Sequence, residues 1–366
     1  MSFLDVRHQE KAQEILRRAL SRGRVPHAYV FHGPDGVGKE SLARRLAARL
    51  LCATPTTIEG ARGEAGSDAC GRCADCRLSA LDAHPDLHVV SRQLIRHHPD
   101  SRVRGLSGRE LVVDVVRHFV IAAVGLTPSR GQAKAFIIRE ADRMNVEAQN
   151  ALLKTLEEPP GPTYLVLIAG SIERLLPTTQ SRCQVVPFDS LPADFVVERL
   201  RALRPDSVAV ELEWCARGAE GSLGAALRRA DEGLFAVNER IMESVRAGYR
   251  DGPWAMVRAW NEEASRIGKR ATEADEYLSD TEATRIGLRT VFGLAAAWFA
   301  DAIRVQADPQ TRLVNEHDRT NLLKLAGARK ADVLIDAVGR IARSERQLDL
   351  NVHTALCVEA LVGELV

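Results

Sequence analysis

The chain has 366 residues, 45% of them hydrophobic, and its formal net charge is 50 − 49 = +1. That length favours two or three domains, each large enough for its own core, and near-neutrality excludes the basic excess of a protein that binds duplex DNA unaided. No stretch approaches an apolar membrane span and MSFLDVRHQEKAQ carries no signal-peptide pattern, so a cytoplasmic protein with no membrane partner is expected. Seven cysteines, three of them tightly clustered, argue for metal rather than disulfides.

Residues 6–24 place Ala12, Ile15, Leu16, Ala19 and Leu20 among charges and read as an amphipathic helix. Ala28–Phe31 reads as a buried strand. It runs into GPDGVGKES and then a helix with Leu42, Ala43, Leu46, Ala47 and Leu50 on one face. Strand, glycine-rich loop and helix form the context of a phosphate loop. Gly33, Gly36 and Gly38 let backbone N–H groups face an anion, with Lys39 as a point charge. The G-x-x-x-x-G-K pattern is complete, but the next residue, normally the Ser or Thr that holds Mg²⁺, is Glu40. Ser41 stands about 100° further around the helix. The loop is therefore expected to keep its shape and lose its metal chemistry, leaving ATP binding in doubt.

Cys52 closes that helix, and a loop rich in Gly, Ala and Thr leads to Cys70-Gly-Arg-Cys73-Ala-Asp-Cys76. Four thiolates suit tetrahedral Zn²⁺, and interleaved C-x-x-C steps place three sulfurs around one ion. An iron–sulfur run would want a further cysteine and a proline where Ser79 and Ala80 stand. Reduced, unliganded cysteines are the alternative. A four-sulfur site leaves no open position, so its role would be structural.

HPDLHVV (84–90) follows, with His84 and His88 read as strand-edge residues rather than spare metal ligands. Residues 91–109 carry Arg92, Arg96, His97, His98, Arg102, Arg104 and Arg109, a solvated loop or a DNA-facing patch. Glu110–Leu126 reads as a helix.

The most informative run is 134–182, KAFIIREADRMNVEAQNALLKTLEEPPGPTYLVLIAGSIERLLPTTQSR. Ala135–Ile138 and Tyr164–Ala169 read as buried strands of a parallel sheet. Between them Asn145 caps a helix with Ala148, Ala151, Leu152, Thr155 and Leu156 on one face, stopped by Pro159-Pro160-Gly161. The run resembles the second nucleotide-binding motif of AAA+ ATPases. ADRMN…ALLKTLEEPP followed by SRC is similar to bacterial DNA polymerase III clamp-loader subunits of the delta-prime or gamma/tau branch. That resemblance implies an α/β AAA+ P-loop parallel sheet with helices on both faces and a zinc-module insertion, then a small helical lid and an all-α collar. Domains are expected at 1–188 (the cysteine module at about 52–76), 189–235 and 236–366. Members of the branch carry a similar zinc module after the first helix, with a shorter first gap than that between Cys52 and Cys70.

The resemblance also identifies what is altered. A working P-loop ATPase ends the second strand with Asp for Mg²⁺ and then Glu for the attacking water; here Arg139 fills the first place and Glu140 the second. Gly221–Leu227 is similar to the second sensor helix, where the motor subunits' arginine is replaced by Gly224. Glu40 and Arg139, opposite in charge, are expected to pair where the metal would sit, helped by Lys39 and Glu140. Ser181-Arg182-Cys183 is intact, and in clamp loaders that arginine reaches a neighbour's ATP in trans; LLPT before it fits the delta-prime pattern better than the motor pattern. Phe195–Leu203, Val210–Arg217 and Ser222–Ala230 read as lid helices, and the remainder is helical to Val366, ending in a segment similar to the collar. The implied function is a non-hydrolysing subunit that supplies Arg182 within a hetero-pentamer with gamma/tau and delta. That complex, part of the DNA polymerase holoenzyme, acts on the sliding clamp and primed DNA. Two rivals stand beside it: a gamma/tau-like ATPase with an unusual Mg²⁺ site, and a zinc-dependent DNA-binding protein with a dead ATPase core.

Overall fold

The structure is a computed structural model and describes residues 5–59, 65–106, 108–130, 133–274, 278–350 and 352–365. The first four residues of the stretch read for a leader, and the final residue of the last expected helix, lie outside that range. The chain forms two compact units, Met1–Pro192 and Ala193–Val366.

In the first unit, α1 (Glu10–Ser21), β1 (Ala28–His32) and α2 (Lys39–Leu51) follow the expected order. The segment read as a loop before the cysteines is instead an antiparallel hairpin, β2 (Thr56–Glu59) and β3 (Ala65–Asp68), with residues 60–64 outside the described range. Its pairing was not visible as a pattern because neither strand alternates apolar and polar residues. After α3 (Ala74–Ala80) and β4 (Leu87–Val90), the polar stretch 91–109 holds a 3₁₀ turn at Arg92–His97 and a short helix, α4 (Ser101–Arg104). Helix α5 (113–124) contains one π turn, Arg117–Ile121. Then come β5 (Lys134–Ile138), α6 (Val146–Glu157), β6 (Thr163–Ala169), α7 (Pro177–Gln180) and β7 (Gln184–Pro187).

The sheet order is β4-β5-β6-β1-β7, and every neighbouring pair is parallel. Successive strand residues point to opposite faces. Val30, Phe136, Ile138, Leu165 and Leu167 pack with Val115, Val116 and Val120 of α5 and with Leu152 and Leu156 of α6. Tyr29, Phe31, Ile137 and Ile168 are buried on the other face, which α2 covers. A sheet covered on both faces requires apolar residues at consecutive positions, which is why its inner strands are continuous apolar runs. This is the AAA+ P-loop fold expected from the sequence.

The second unit is helical: α8 (Ala193–Leu203), α9 (Ala209–Arg217), α10 (Leu223–Asp231), α11 (Leu234–Asp251), α12 (Pro253–Ala274), α13 (Asp280–Ala307), α14 (Arg319–Ala328), α15 (Ala331–Gln347) and α16 (Thr354–Leu365). Contrary to expectation, one described helix, α13, is long and apolar enough to cross a membrane. Its apolar residues are instead core: Val291, Phe292, Ala295, Trp298 and Phe299 are buried, and α11, α12, α14 and α15 pack around it. Gly287 admits the closest approach, since a Cβ there would lie 2.0 Å from the Ala264 carbonyl oxygen of α12.

Candidate functional site

β1 delivers the chain into the glycine loop at the centre of the sheet. Gly33, Gly36 and Gly38 have φ of +139°, +71° and +109°, values that side chains resist. At Gly33 a Cβ would also stand 2.2 Å from the Phe188 carbonyl oxygen. Helix α2 starts at Lys39 with no side-chain cap, leaving its first N–H groups to the loop. Lys39 is only 4% exposed. Its Nζ donates to the carbonyls of Gly33 and Pro34, the latter at 2.6 Å, and lies 3.4 Å from Asp35 Oδ1. Burial lowers its pKa, opposed by Asp35 and then by Asp142.

One helical residue on, Glu40 Oε2 lies 3.2 Å from Arg139 Nε, so the expected pair between the two altered positions is present. Arg44 holds the other oxygen, with Nε and Nη2 at 3.0 and 2.9 Å from Oε1, and extends to Asp82. The help expected from Lys39 and Glu140 is absent. Lys39 turns into its own loop. Glu140 accepts from Arg92 Nε at 3.0 and 3.1 Å and lies 3.8 Å from Arg143. The reason is the backbone: Glu140 has φ 52° and ψ 41°, a left-handed setting uncommon for a side-chain-bearing residue, which turns its carboxylate away from its neighbour. Arg92 is thereby drawn out of the polar stretch that was read as a loop.

Arg182 follows α7, at the end of a segment pinned by two amides. Gln149, 2% exposed on α6, accepts from Leu176 N at 2.7 Å and donates to the Met144 carbonyl at 3.1 Å. Gln180 Nε2 donates to the carbonyls of Ile172 and Leu175 at 2.9 and 2.8 Å. Arg182 itself donates from Nε to Glu157 Oε1 at 2.6 Å and from Nη1 to the Thr178 carbonyl at 2.8 Å. Sequence reasoning missed Gln149, Gln180 and Glu157. Gln149 did leave a signal, as the polar residue beside Ala148 on the buried stripe of α6. Burial pushes the thiol of the adjacent Cys183 up to about 12.

The Sγ atoms of Cys52, Cys70, Cys73 and Cys76 all lie within 4.8 Å of one another. Cys52–Cys73 and Cys70–Cys76 are 3.9 Å apart, too far for disulfides. Metal–sulfur bonds of about 2.3 Å in a tetrahedron set sulfur–sulfur edges of about 3.8 Å, so these residues fit a four-sulfur ion. Backbone N–H groups of Cys70, Cys73 and Cys76 donate to Cys52, Cys70 and Cys73 sulfurs at 3.4, 3.3 and 3.3 Å, an arrangement that favours thiolates. The Thr54 hydroxyl and two backbone N–H groups hold the Cys70 thiol down at about 5, whereas burial pushes Cys76 up. His84 is buried and turns Nε2 toward Asp75, 3.5 Å away, not toward the sulfurs. Within the second unit, Ser222 caps α10 through Ala225 N at 2.9 Å, and Gly224 occupies its second position.

Residues 8–192 match the sequence profile of the family described as DNA polymerase III, delta subunit. The chain belongs to that clamp-loader family. It is 36% identical over 227 residues to DNA polymerase III subunit delta' of Pseudomonas aeruginosa, covering 62% of each chain. To subunit delta' of Bacillus subtilis it is 34% identical over 192 residues, 52% of this chain and 51% of that one. Escherichia coli subunit tau is 34% identical over 237 residues, 64% of this chain and 33% of tau. The match thus spans between half and two thirds of the length of these two delta' relatives. Among solved structures, a gamma subunit-related protein of Thermotoga maritima aligns over 97% of this chain and 98% of its own, with a TM-score of 0.41 and 15% identity.

Proposed function

We propose that this chain is a non-hydrolysing delta-prime subunit that lends Arg182 to a neighbouring subunit's ATP while its complex loads sliding clamps onto primed DNA. The observation that carries this reading is the Glu40–Arg139 pair at 3.2 Å. Mg²⁺ coordination in a P-loop ATPase needs an oxygen donor at each of these positions, and here a guanidinium answers a carboxylate instead. The Glu40 carboxylate is taken up by Arg139 and Arg44, and Gly224, at the position where the resemblance puts the sensor arginine, offers no cation for a γ-phosphate. Arg suits action in trans because its charge is permanent and its planar fork matches phosphate oxygens.

Zn²⁺ on Cys52, Cys70, Cys73 and Cys76 would tie the β2–β3 hairpin and α3 to the end of α2, a structural role. Partners would be gamma/tau and delta in the cytoplasm, with clamp and primed DNA reached through the complex. The lid (189–235) and collar (236–366) divide the helical part. The gamma/tau-like reading keeps one observation in its favour, an identity to tau close to that for delta'; ATP hydrolysis by the purified chain would support it.

The test is a loader reconstituted with wild type or Arg182→Ala. The variant should assemble normally and hydrolyse ATP more slowly, by up to about 10³-fold if all sites depend on this arginine, less if sites fire independently. An unchanged clamp-loading rate overturns the assignment.

A further inference from the structure

Arg182 reaches solvent from a setting built by its own chain. Nε and Nη2 both meet Oε1 of Glu157, the last residue of α6, while Nη1 donates to the Thr178 carbonyl of α7 with Ser181 Oγ at a long 3.5 Å. The guanidinium is therefore gripped along its inner edge by two elements. Gln149 ties those elements together through Leu176 N and Thr179 Oγ1. A guanidinium has five N–H donors. Nε and Nη2 meet Glu157, and Nη1 meets Thr178 with Ser181 at longer range, so Nη2 keeps a donor on the distal Nη1–Nη2 edge, the edge that can be turned to a phosphate.

We propose that Glu157 is a positioning residue for Arg182. It fixes the arginine's rotamer and roll in the free subunit, so that the distal edge is presented to the neighbour's phosphate without an ordering cost at each encounter. This inference rests on the reading of Arg182 as trans-acting. Glu157 touches neither nucleotide nor metal in this scheme and acts only through the arginine. As a purely structural ion pair it would do little, because the two side chains are 31% and 47% exposed. Its effect should appear in turnover and not in folding.

The experiment compares reconstituted loaders carrying wild type, Glu157→Ala, Glu157→Gln, Arg182→Ala and the double Glu157→Ala/Arg182→Ala chain, with clamp and primed DNA present. Glu157→Ala should lower kcat for ATP about fivefold, the scale of lost arginine ordering, while KM changes by less than about twofold. Glu157→Gln keeps an acceptor oxygen in place and should recover at least half of the loss. The double variant should match Arg182→Ala, and the melting temperature of each isolated chain should stay near wild type. Normal turnover in Glu157→Ala beside an impaired Arg182→Ala would overturn this proposal alone. A double variant slower than Arg182→Ala would also overturn it, since Glu157 would then act by another route. Normal turnover in Arg182→Ala would overturn the trans-arginine reading and this one with it.

Discussion

Restoring oxygen donors to the altered site should restore metal dependence. In Glu40→Thr/Arg139→Asp, the residue after Lys39 regains a hydroxyl and the end of β5 regains a carboxylate. At 3.2 Å the wild-type pair attracts by roughly 5 kcal/mol at an effective dielectric of about 20. Its carboxylate is 33% exposed and its guanidinium 45%, so screening and desolvation reduce the net contribution to about 1 kcal/mol or less. The same charges weigh far more on a metal. A guanidinium about 4 Å from Mg²⁺ repels it by roughly 8 kcal/mol before screening, and a carboxylate there attracts it by as much. Stability should therefore barely move while metal affinity changes strongly. Isothermal titration should show the double variant binding ATP at least about tenfold tighter in Mg²⁺ than wild type does, with the gain abolished by EDTA. Hydrolysis should stay low, because position 224 is still glycine. Glu40→Thr alone retains the Arg139 charge and should gain little. Equal affinity with and without Mg²⁺ in the double variant, or a wild type that already prefers Mg²⁺–ATP, refutes the reasoning.

The cysteine cluster should hold about one Zn²⁺ per chain and shield its thiols. Stripping the metal with a chelator should make Cys70 and Cys73, whose thiols are held below the usual range, alkylatable at pH 8, while Cys52 and Cys76, pushed up by burial, label more slowly and the sheet stays folded. Cys183 and Cys215, pushed up by burial to about 12 and about 11, should stay protonated and unreactive until denaturant is added. Raising the pH toward those values is what would activate them. Mass spectrometry showing the same labelling before and after chelation, or metal analysis finding no zinc, counts against the site. In the helical unit, Asn315 accepts from Trp214 Nε1 at 2.9 Å and Asn238 Nδ2 at 3.0 Å, and donates to buried Asp301 at 2.7 and 2.9 Å. Asn315→Leu strands those donors and part of a buried charge, so it should cost about 3–5 kcal/mol in urea unfolding. Trp214→Phe removes one donor and should cost about 1 kcal/mol; a loss below that for Asn315→Leu would show that the network relaxes onto other partners.

The sheet was legible where burial on both faces forced continuous apolar runs. Ala28–Phe31, Ala135–Ile138 and Tyr164–Ala169 each fall within a residue of the strands β1, β5 and β6. The edge strand β7 was not legible: it is four residues long and opens on exposed Gln184. The β2–β3 hairpin lacked a pattern for a different reason. Its register, Thr56 opposite Asp68, brings Cys52 and Cys70 together, so the four sulfurs rather than an apolar face can hold it in place. A metal constraint of that kind was readable in the cysteine spacing, but not as strands.

At the site, a motif told which positions meet but not which way a side chain turns from them. Glu40 and Arg139 were paired correctly because the phosphate loop and the end of β5 bring those positions to one place, and their charges are opposite. Glu140 is the next residue and carries the same charge as Glu40, yet its carboxylate goes to Arg92. Nothing in its composition distinguishes it; the left-handed backbone at φ 52° does. The consequence is two separate ion clusters from adjacent residues, Arg139 with Glu40 and Arg44, and Glu140 with Arg92 and Arg143. The altered site therefore holds one carboxylate between two guanidiniums, a balance that gives Mg²⁺ little to bind.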